Sequence, residues 1–349
     1  MAKAKRVKGI NCNARAPEGI KLVLVTRFQE MSALHEAAMK WSDPEGVHSM
    51  RVASRRLRSA LRDFTPYLHK RGLKSTQRQL RSLADALGEV RDQDVAIMAL
   101  EKLATHAPTE VSPVLKEYID GRKEVRERAR KELKSILMGN AFEELQSSFM
   151  DGVEKVTAVR KRKTSDAETV AEITFGQMSR RVILDRLKEL EKLSNGLFNP
   201  FEIEDLHEMR IAAKRLRYAV ELFEQCWSNS LAIYAKSVAR IQSALGDVHD
   251  CDVWIESFVK QIGGARKDKH REHVTAFVWL LGHFLKLRTK HLRQALRRWC
   301  EWETNDVSAK LRASLGATQN NVDRQPHTSR SFDGSSCIPK DELQPAHRA

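Results

Sequence analysis

An eighteen-residue segment occurs twice in this chain of 349 residues. Val47 to Phe64 recurs 159 residues later as Leu206 to Phe223, with nine of the eighteen positions identical. A second block, residues 83–95, recurs as residues 241–253 with an offset of 158 and seven identities in thirteen. The one-residue difference falls in a connection, where such changes are tolerated. Two blocks repeated in the same order indicate an internal duplication.

Composition and periodicity predict an all-α protein. Charged residues make up 31% of the chain and aromatic residues 6%, and runs with the alternation of β-strands are scarce. With the duplication, we therefore expect two helical halves of the same plan in tandem, at about 19–159 and 166–302, joined by a basic segment at 160–166. Residues 1–18 should be a flexible basic segment, and the polar residues 303–349 a disordered tail.

Capping residues predict where several helices begin and end. Asp43 and Pro44 should start the helix of the first repeated segment, as N-cap and first helical residue. Gly88 should end the following helix, with another helix starting near Asp92. Gly246 should likewise end a helix in the second half, where the next helix should stop at residues 263–264.

The first repeated segment places one histidine and four arginines on a single helix face. At about 100° per residue, they lie within an arc of about 80° and along roughly 21 Å. These residues are His48, Arg51, Arg55, Arg58 and Arg62. The second copy repeats the row as His207, Arg210, Lys214 and Arg217, while Glu221 replaces the last arginine. A further basic row, Lys74, Arg78 and Arg81, is predicted on the helix that follows the first copy.

A row of cations suits a linear polyanion, because guanidinium groups match phosphate oxygens and stay charged at physiological pH. The net charge of +15 and the pI of about 9.7 also predict attraction to polyanions. Alternatively, the arginines pair with acidic residues and serve stability alone. This alternative applies above all to Arg56 and Arg215, which lie off the rows and could meet Asp92 and Asp94, or Asp250 and Asp252.

The two motif histidines are candidate ligands that titrate. Neighbouring cations should lower the pKa of His48 and His207, and a bound polyanion should raise it again. They could equally be hydrogen-bonded structural histidines. The motif aspartates could cap helices, pair with arginines or coordinate a metal with the histidines. Since surrounding cations oppose a metal ion, we expect neither metal nor cofactor.

Cysteine usage and hydropathy predict a cytoplasmic protein without a membrane partner. The five cysteines are scattered and lack CxxC spacing, which is typical of reduced thiols. The basic N-terminal residues lack the apolar run of a signal peptide. The most apolar stretch, residues 276–285, is too short to span a bilayer.

At this point the residues resemble the CHAD domain family, the conserved histidine α-helical domain. The likeness rests on Asp43-Pro-Glu-x-Val-His48-x-x-Arg51-x-x-x-Arg55-Arg-Leu-Arg58, on Leu87-Gly-x-Val-Arg-Asp92-x-Asp-Val95, and on the second copies around residues 207–218 and 245–253. It covers about residues 20–302, so the family domain would occupy 19–302. The resemblance implies two pseudo-symmetric bundles, inorganic polyphosphate binding and association with polyphosphate granules in bacteria or archaea.

The resemblance also implies which residues bind the polymer. Carried over by position, the first half-site comprises His48, Arg51, Arg55, Arg56 and Arg58, with Lys74, Arg78 and Arg81 added. The second comprises His207, Arg210, Lys214, Arg215 and Arg217, with Lys236 and Arg240 added. Some family members also carry a CYTH triphosphatase domain. Glu202 and Glu204 superficially match its signature but lead directly into the basic segment, so we expect no enzymatic activity.

Two other functions remain open. A nucleic-acid-binding module would place aromatic platforms or base-reading side chains among the cations, and the rows contain neither. A metal-dependent or phosphotransfer protein using His48 and His207 would need a carboxylate constellation around each histidine. The sequence leaves the oligomeric state and the preferred polymer length undetermined.

Overall fold

A computed structural model describes residues 6–68, 72–158, 173–267 and 270–317. In these ranges the chain consists of helices joined by short turns and loops, and the β pairing is confined to an isolated bridge between Arg15 and Thr174. The all-α prediction is confirmed. The predicted connector 160–166 lies outside the described residues. The helices are α1 (Ala16–Ser32), α2 (His35–Ala38), α3 (Pro44–Phe64), α4 (Lys74–Ala104), α5 (Ser112–Leu137), α6 (Asn140–Thr157), α7 (Phe175–Leu193), α8 (Ile203–Phe223), α9 (Ala232–Lys267), α10 (Arg271–Thr304) and α11 (Val307–Ala317).

The helices of the two halves follow in the same order and pack on corresponding neighbours. In the first half α1 packs on α3, α3 on α4, and α4 on α5. In the second half α7 packs on α8, α8 on α9, and α9 on α10. The repeated segments are therefore α3 and α8, and the repeated second blocks lie in α4 and α9.

The two halves share one large hydrophobic core. The rings of Phe64, Phe175 and Phe223 come from α3, α7 and α8, and their centroids lie 5.6–6.4 Å apart. Gly19 of α1 is required beside this cluster, because a Cβ there would overlap the ring of Phe175. α1 and α7 can therefore cross closely, which joins the halves.

A second, smaller core lies at the far ends of the long helices. The C-terminal parts of α4 and α9 pack there against the N-terminal parts of α5 and α10, around Leu100, Leu115, Phe258 and Leu280. Burial of such side chains contributes about 1.5–3 kcal/mol each. The two cores fix the positions of α4 and α9 at both ends, and the buried apolar residues of segments 83–95 and 241–253 lie mostly in the large core.

The start of α3 is as predicted. The Asp43 side chain accepts a hydrogen bond of 2.9 Å from the backbone N–H of Glu45, and Pro44 is the first helical residue. At the start of α7, Thr174 and Gln177 form a capping box. These caps satisfy backbone donors that the first helical turn leaves unpaired.

The predicted helix ends at Gly88 and Gly246 are wrong. α4 and α9 continue through both glycines, so Asp92 and Asp250 lie inside helices and are not N-caps. α9 also continues past residues 263–264, to Lys267. A glycine within a helix costs only about 1 kcal/mol relative to alanine, which the packing of such long helices exceeds.

The prediction of a flexible segment over residues 1–18 is wrong from Arg6 onward, and residues 1–5 lie outside the described ranges. Val7 is fully buried, and the backbone N–H of Gly176 donates a 2.8 Å hydrogen bond to the carbonyl of Cys12. Cys12 also forms a disulfide with Cys226, just after α8. The expectation that all cysteines are reduced thiols is therefore wrong for this pair, whose members are 214 positions apart in sequence.

The predicted disorder after residue 302 is wrong for residues 303–317. α10 extends to Thr304, and α11 follows. Leu311 and Leu315, four residues apart, are buried in the large core, and the hydroxyls of Tyr234 and Ser314 lie 2.8 Å apart. The polar composition of this segment concealed one short apolar face. Residues 318–349 lie outside the described ranges.

Candidate functional site

The basic rows of α3 and α8 meet where these two helices are in contact. We call Arg51 and Arg55 of α3, together with Arg210 and Lys214 of α8, the central cluster. Burial lowers the pKa of Arg210, with Arg55 and Arg51 from the other half contributing. Burial also lowers the pKa of Lys214, to about 8, with help from Arg210 and Arg55. The cations of both halves thus act on one another.

The glycine and aspartate of each second block form a support for one arginine of the cluster. Gly88 and Asp92 lie four residues apart, on the same face of α4. The Arg51 guanidinium crosses α4 there, 3.7 Å from the position of a Cβ on Gly88, and its Nη2 lies 3.1 Å from Oδ1 of Asp92. The Asp92 side chain is 63% exposed, yet the surrounding protein desolvates it enough to raise its pKa.

The second half repeats this support without a direct ion pair. A Cβ on Gly246 of α9 would lie 3.9 Å from Nε of Arg210, and Asp250 follows one turn later. The charge of Asp250 favours the protonated form of Arg210, while burial raises the pKa of Asp250. In each block the arginine of the cluster thus passes over the glycine at ordinary contact distance, with the first aspartate of the block one helical turn further on.

Most cations of the central cluster have no acidic partner. In the described part of the chain, no carboxylate lies within 4 Å of Arg55, Arg210 or Lys214, and Arg51 pairs only with Asp92, at an N···O distance of 3.1 Å. The Nε atom of Arg55 is buried and makes no hydrogen bond to a described residue. The cluster is therefore a partly buried concentration of positive charge.

Three other residues of the predicted site are engaged in structural ion pairs. Arg56 is 8% exposed, with Nη1 3.6 Å from Glu30. Arg217 is equally buried and donates from Nε to Glu221 at 2.6 Å. Arg215 donates to Glu189 of α7. These contacts favour a stabilising role for the three arginines.

The predicted pairing of Arg56 and Arg215 with the motif aspartates is wrong. Asp94 lies 3.6 Å from Arg126 and 3.7 Å from Arg130, both on α5. Asp252 accepts a hydrogen bond from Arg288 of α10. The second aspartate of each block thus joins the long helix to the next one, whereas the first lies beside the central cluster.

A cleft between α3 and α4 continues the basic surface in the first half. We call it the α3–α4 cleft, and its cationic lining residues are Arg58, Arg62, Lys74, Arg78 and Arg81. The structure thus brings the predicted row of α4 beside the end of the row on α3.

The second half differs in charge at the matching place, because Glu221 stands where the first half has Arg62 and pairs with Arg217. Lys236 and Arg240 are exposed on α9. Arg240 lines a different cleft, with Arg298 and Trp302. Arg217 does not line this cleft, although the match by position places Arg240 and Arg217 in one half-site.

The motif histidines lie at the starts of the rows. Burial lowers the pKa of His48, and Arg91 contributes next. Burial also lowers the pKa of His207, and the charge of Arg210 is the next largest cause. The predicted direction is confirmed for both histidines, while their role as ligands stays a prediction.

Sequence reasoning missed two residues beside these histidines. Nδ1 of His249 lies 3.2 Å from Nδ1 of His207. Burial lowers the pKa of His249 to about 4, and the charges of Arg210 and then His207 add to this shift. Arg91 occupies the matching position near His48. The signal was present, since both residues directly precede the first aspartate of the second block.

Neither a metal site nor a membrane span emerges from the described ranges. There, no three His, Cys, Asp or Glu side chains group in a way that could hold a metal ion. The same ranges contain no helix with the length and apolar character needed to cross a bilayer. The hypothesis of a metal held by the motif aspartates and histidines gains no support.

Comparisons with known proteins include a match to one family model. The model of the CHAD domain matches residues 23–259, more than half of the chain. Two uncharacterized proteins of Mycobacterium tuberculosis are similar over 247 residues, Rv2226 of strain H37Rv at 29% identity and MT2285 of strain CDC 1551 at 28%. The match covers 68% of this chain and 44% of each relative, so the chain spans less than half the length of these curated relatives.

Two solved structures share the fold. The crystal structure of the CHAD domain from the plant Ricinus communis superposes with a TM-score of 0.63 at 20% identity, over 85% of this chain and 96% of that one. PptA from Streptomyces chartreusis superposes with a TM-score of 0.57 at 12% identity, over 82% and 99% of the two chains. At these identities the likeness concerns the fold.

Proposed function

The chain belongs to the CHAD domain family, and from this premise we propose that it binds inorganic polyphosphate through the central cluster. The observation that carries the proposal is the meeting of Arg55, Arg210 and Lys214, drawn from both halves, without a carboxylate within 4 Å among the described residues. Like charges held this close repel one another unless an anion joins them. A chain of phosphates supplies such anions at regular spacing.

The arrangement suits an extended polymer better than a compact phosphate ester. Cations from α3 and α8 form the middle of the surface, and the α3–α4 cleft extends it on one side. Arginine provides planar pairs of donors for phosphate oxygens, and lysine a compact charge. Binding would release small counterions from the polymer, so the affinity should fall steeply with salt concentration. Chemistry on the polymer is not part of the proposal.

Neutralising the central cluster tests the proposal. The variant Arg55→Gln, Arg210→Gln, Lys214→Gln removes three phosphate contacts. By analogy with nucleic acids, this should weaken binding to long-chain polyphosphate about a hundredfold at 0.15 M salt and reduce the log-log salt slope by about two to three. Circular dichroism should show unchanged helicity, because these side chains lie at the surface of the shared core.

A matched control removes the same charge elsewhere. Lys102, Lys116 and Lys134 are exposed on α4 and α5, away from the central cluster. Their triple change to Gln should leave the affinity within about twofold of the wild-type value, since isolated distant charges are screened. Equal affinity and salt slope in the central-cluster variant and the wild type would refute the assigned site.

Nucleic acid is the competing ligand. The central cluster presents no aromatic platform, so bases would find no stacking surface there. Competition between polyphosphate and single-stranded DNA or RNA, at matched phosphate concentration and salt, separates the two functions. We expect polyphosphate to displace the nucleic acids, and the reverse order would favour the nucleic-acid function. Association with polyphosphate granules is part of the proposal and would be tested by microscopy of the tagged chain.

A further inference from the structure

Helix α10 carries a second row of cations that the proposed site does not use. Its members are Lys286, Lys290, Arg293 and Arg297, which we call the α10 outer face, and all four are exposed. The spacing of four, three and four residues puts them on one side of the helix. Ala295 and Trp299, on the opposite side, are buried in the large core. The row therefore points away from the body of the protein.

The charge of this face is not balanced. Residues 274–300 contain no aspartate or glutamate. In the described ranges no carboxylate lies within 4 Å of any of the four cations. Lysines and arginines three or four residues apart repel one another and weaken an isolated helix. The row is therefore present in α10 although the repulsion within it disfavours the helix.

The corresponding helix of the first half shows what a solvated outer face looks like. On α5, Arg126 contacts Asp94 as Arg288 of α10 contacts Asp252. The side of α5 opposite Arg126 carries four exposed residues at the same spacing, Glu124, Arg128, Lys131 and Ser135, so two cations stand there between an acidic and a neutral residue. Exposure alone thus does not require an all-basic face at this place in the fold, and α10 differs from α5 in charge while packing in the same way.

The α10 outer face is separate from the central cluster. The side of α10 that packs on α9 offers Arg288 and His291, which contact Asp252 and Asp247. The outer face lies on the other side of α10, across a helix about 10 Å in diameter. A short stretch of polymer bound at the central cluster therefore does not also cover it.

We propose that the α10 outer face is a second polyphosphate-binding surface, so that one molecule bridges two stretches of the polymer. This inference rests on the function proposed for the central cluster. The face is roughly 17 Å long over its eleven-residue rise, enough for several consecutive phosphates. Its members contain no aromatic side chain to stack on bases, and its charge complements the polymer. The bridge would gather polymer chains into a condensed particle.

A sandwich assay tests the bridge. Protein is bound to surface-tethered long-chain polyphosphate, and capture of fluorescent polyphosphate added afterwards is measured. The variant Lys286→Gln, Lys290→Gln, Arg293→Gln, Arg297→Gln should still bind the tethered polymer, within about tenfold of the wild-type affinity, but capture less than a tenth of the labelled polymer. The control Lys102→Gln, Lys116→Gln, Lys131→Gln, Lys134→Gln loses the same four charges and should capture as the wild type does.

The outcomes separate this inference from the proposed function. If the wild-type protein binds the tethered polymer but captures no labelled polymer, the bridge is overturned while the proposed central site is unaffected. If the α10 variant captures as much labelled polymer as the wild type, as a bridging oligomer would, the bridge is also overturned. The same holds if the control variant loses as much capture as the α10 variant. Failure of the wild type to bind the tethered polymer would overturn both. Thermal unfolding and circular dichroism of each variant confirm that it is folded.

Discussion

Lys214 should make polyphosphate binding depend on pH in the alkaline range. Burial lowers its pKa to about 8, and Arg210, Arg55, Arg62 and then Arg215 contribute to the shift. A bound polyanion favours the charged amine and returns the pKa toward its ordinary value of 10.5. The free protein must therefore take up a proton at Lys214 when it binds the polymer above pH 8.

The size of the effect follows from these two pKa values. At pH 8 about half of the free protein lacks the proton, so binding should take up about half a proton. At pH 9 about nine tenths lack it, and the affinity should be about tenfold lower than at pH 7, or about 1.4 kcal/mol. The arginines keep their charge across this range and add no comparable dependence.

Calorimetric titration at pH 7, 8 and 9 measures both quantities. Two buffers of different ionisation enthalpy at each pH give the number of protons taken up. The variant Lys214→Arg keeps the charge and removes the titration, so its affinity should stay level from pH 7 to 9. An affinity of the wild-type protein that does not change between pH 7 and 9, or the same decline in Lys214→Arg, would refute the reasoning.

Three further expectations follow from the same geometry. The pKa of Lys214 is about 8 in the folded protein and about 10.5 in the unfolded chain. The buried charge therefore lowers the free energy of unfolding by its full amount below pH 8, and this loss disappears as pH rises through 10.5. Lys214→Met should therefore raise the free energy of unfolding in urea at pH 7 by about 1–3 kcal/mol, and an unchanged value would contradict the buried charge. Reduction of the Cys12–Cys226 disulfide should destabilise the protein by about 2–4 kcal/mol, which Cys12→Ser should reproduce without added reductant; equal melting temperatures with and without reductant would argue against the bond. Because the pKa values of His48 and His207 lie below 6.5 in the free protein, polyphosphate binding should tighten as pH falls below about 6.5, and an affinity that stays level from pH 5.5 to 8 would exclude both histidines as ligands.

The sequence predicted the fold class and the two basic helix faces because both depend on periodicity. Repeated blocks with apolar residues on one face and cations on the other specify α3 and α8, and Asp43 marks where α3 begins. Helix ends were predicted less well, since local rules treat each glycine alone. Gly88 is a common helix-ending residue, but the packing of α4 against α3 and α5 keeps the helix continuous through it.

The site was predicted in part, for a related reason. Helix periodicity shows which side chains share a face, but it does not show which acidic residues of other helices meet them. Arg56 belongs to the same motif as Arg55, yet Glu30 of α1 pairs with it at 3.6 Å. Arg217 matches Arg58 by position, and one exchange in the second half, Glu221, neutralises it. Such partners depend on contacts distant in sequence.

The shared core has a consequence for how the two repeats can exist. Phe64 from one repeat and Phe175 and Phe223 from the other enclose the same interior. Cutting the chain between them would expose this aromatic surface to water on both fragments, and neither would keep the other's basic row opposite its own. A fragment holding a single repeat could therefore keep this surface out of water only by pairing with a second repeat, as the two halves of the present chain do.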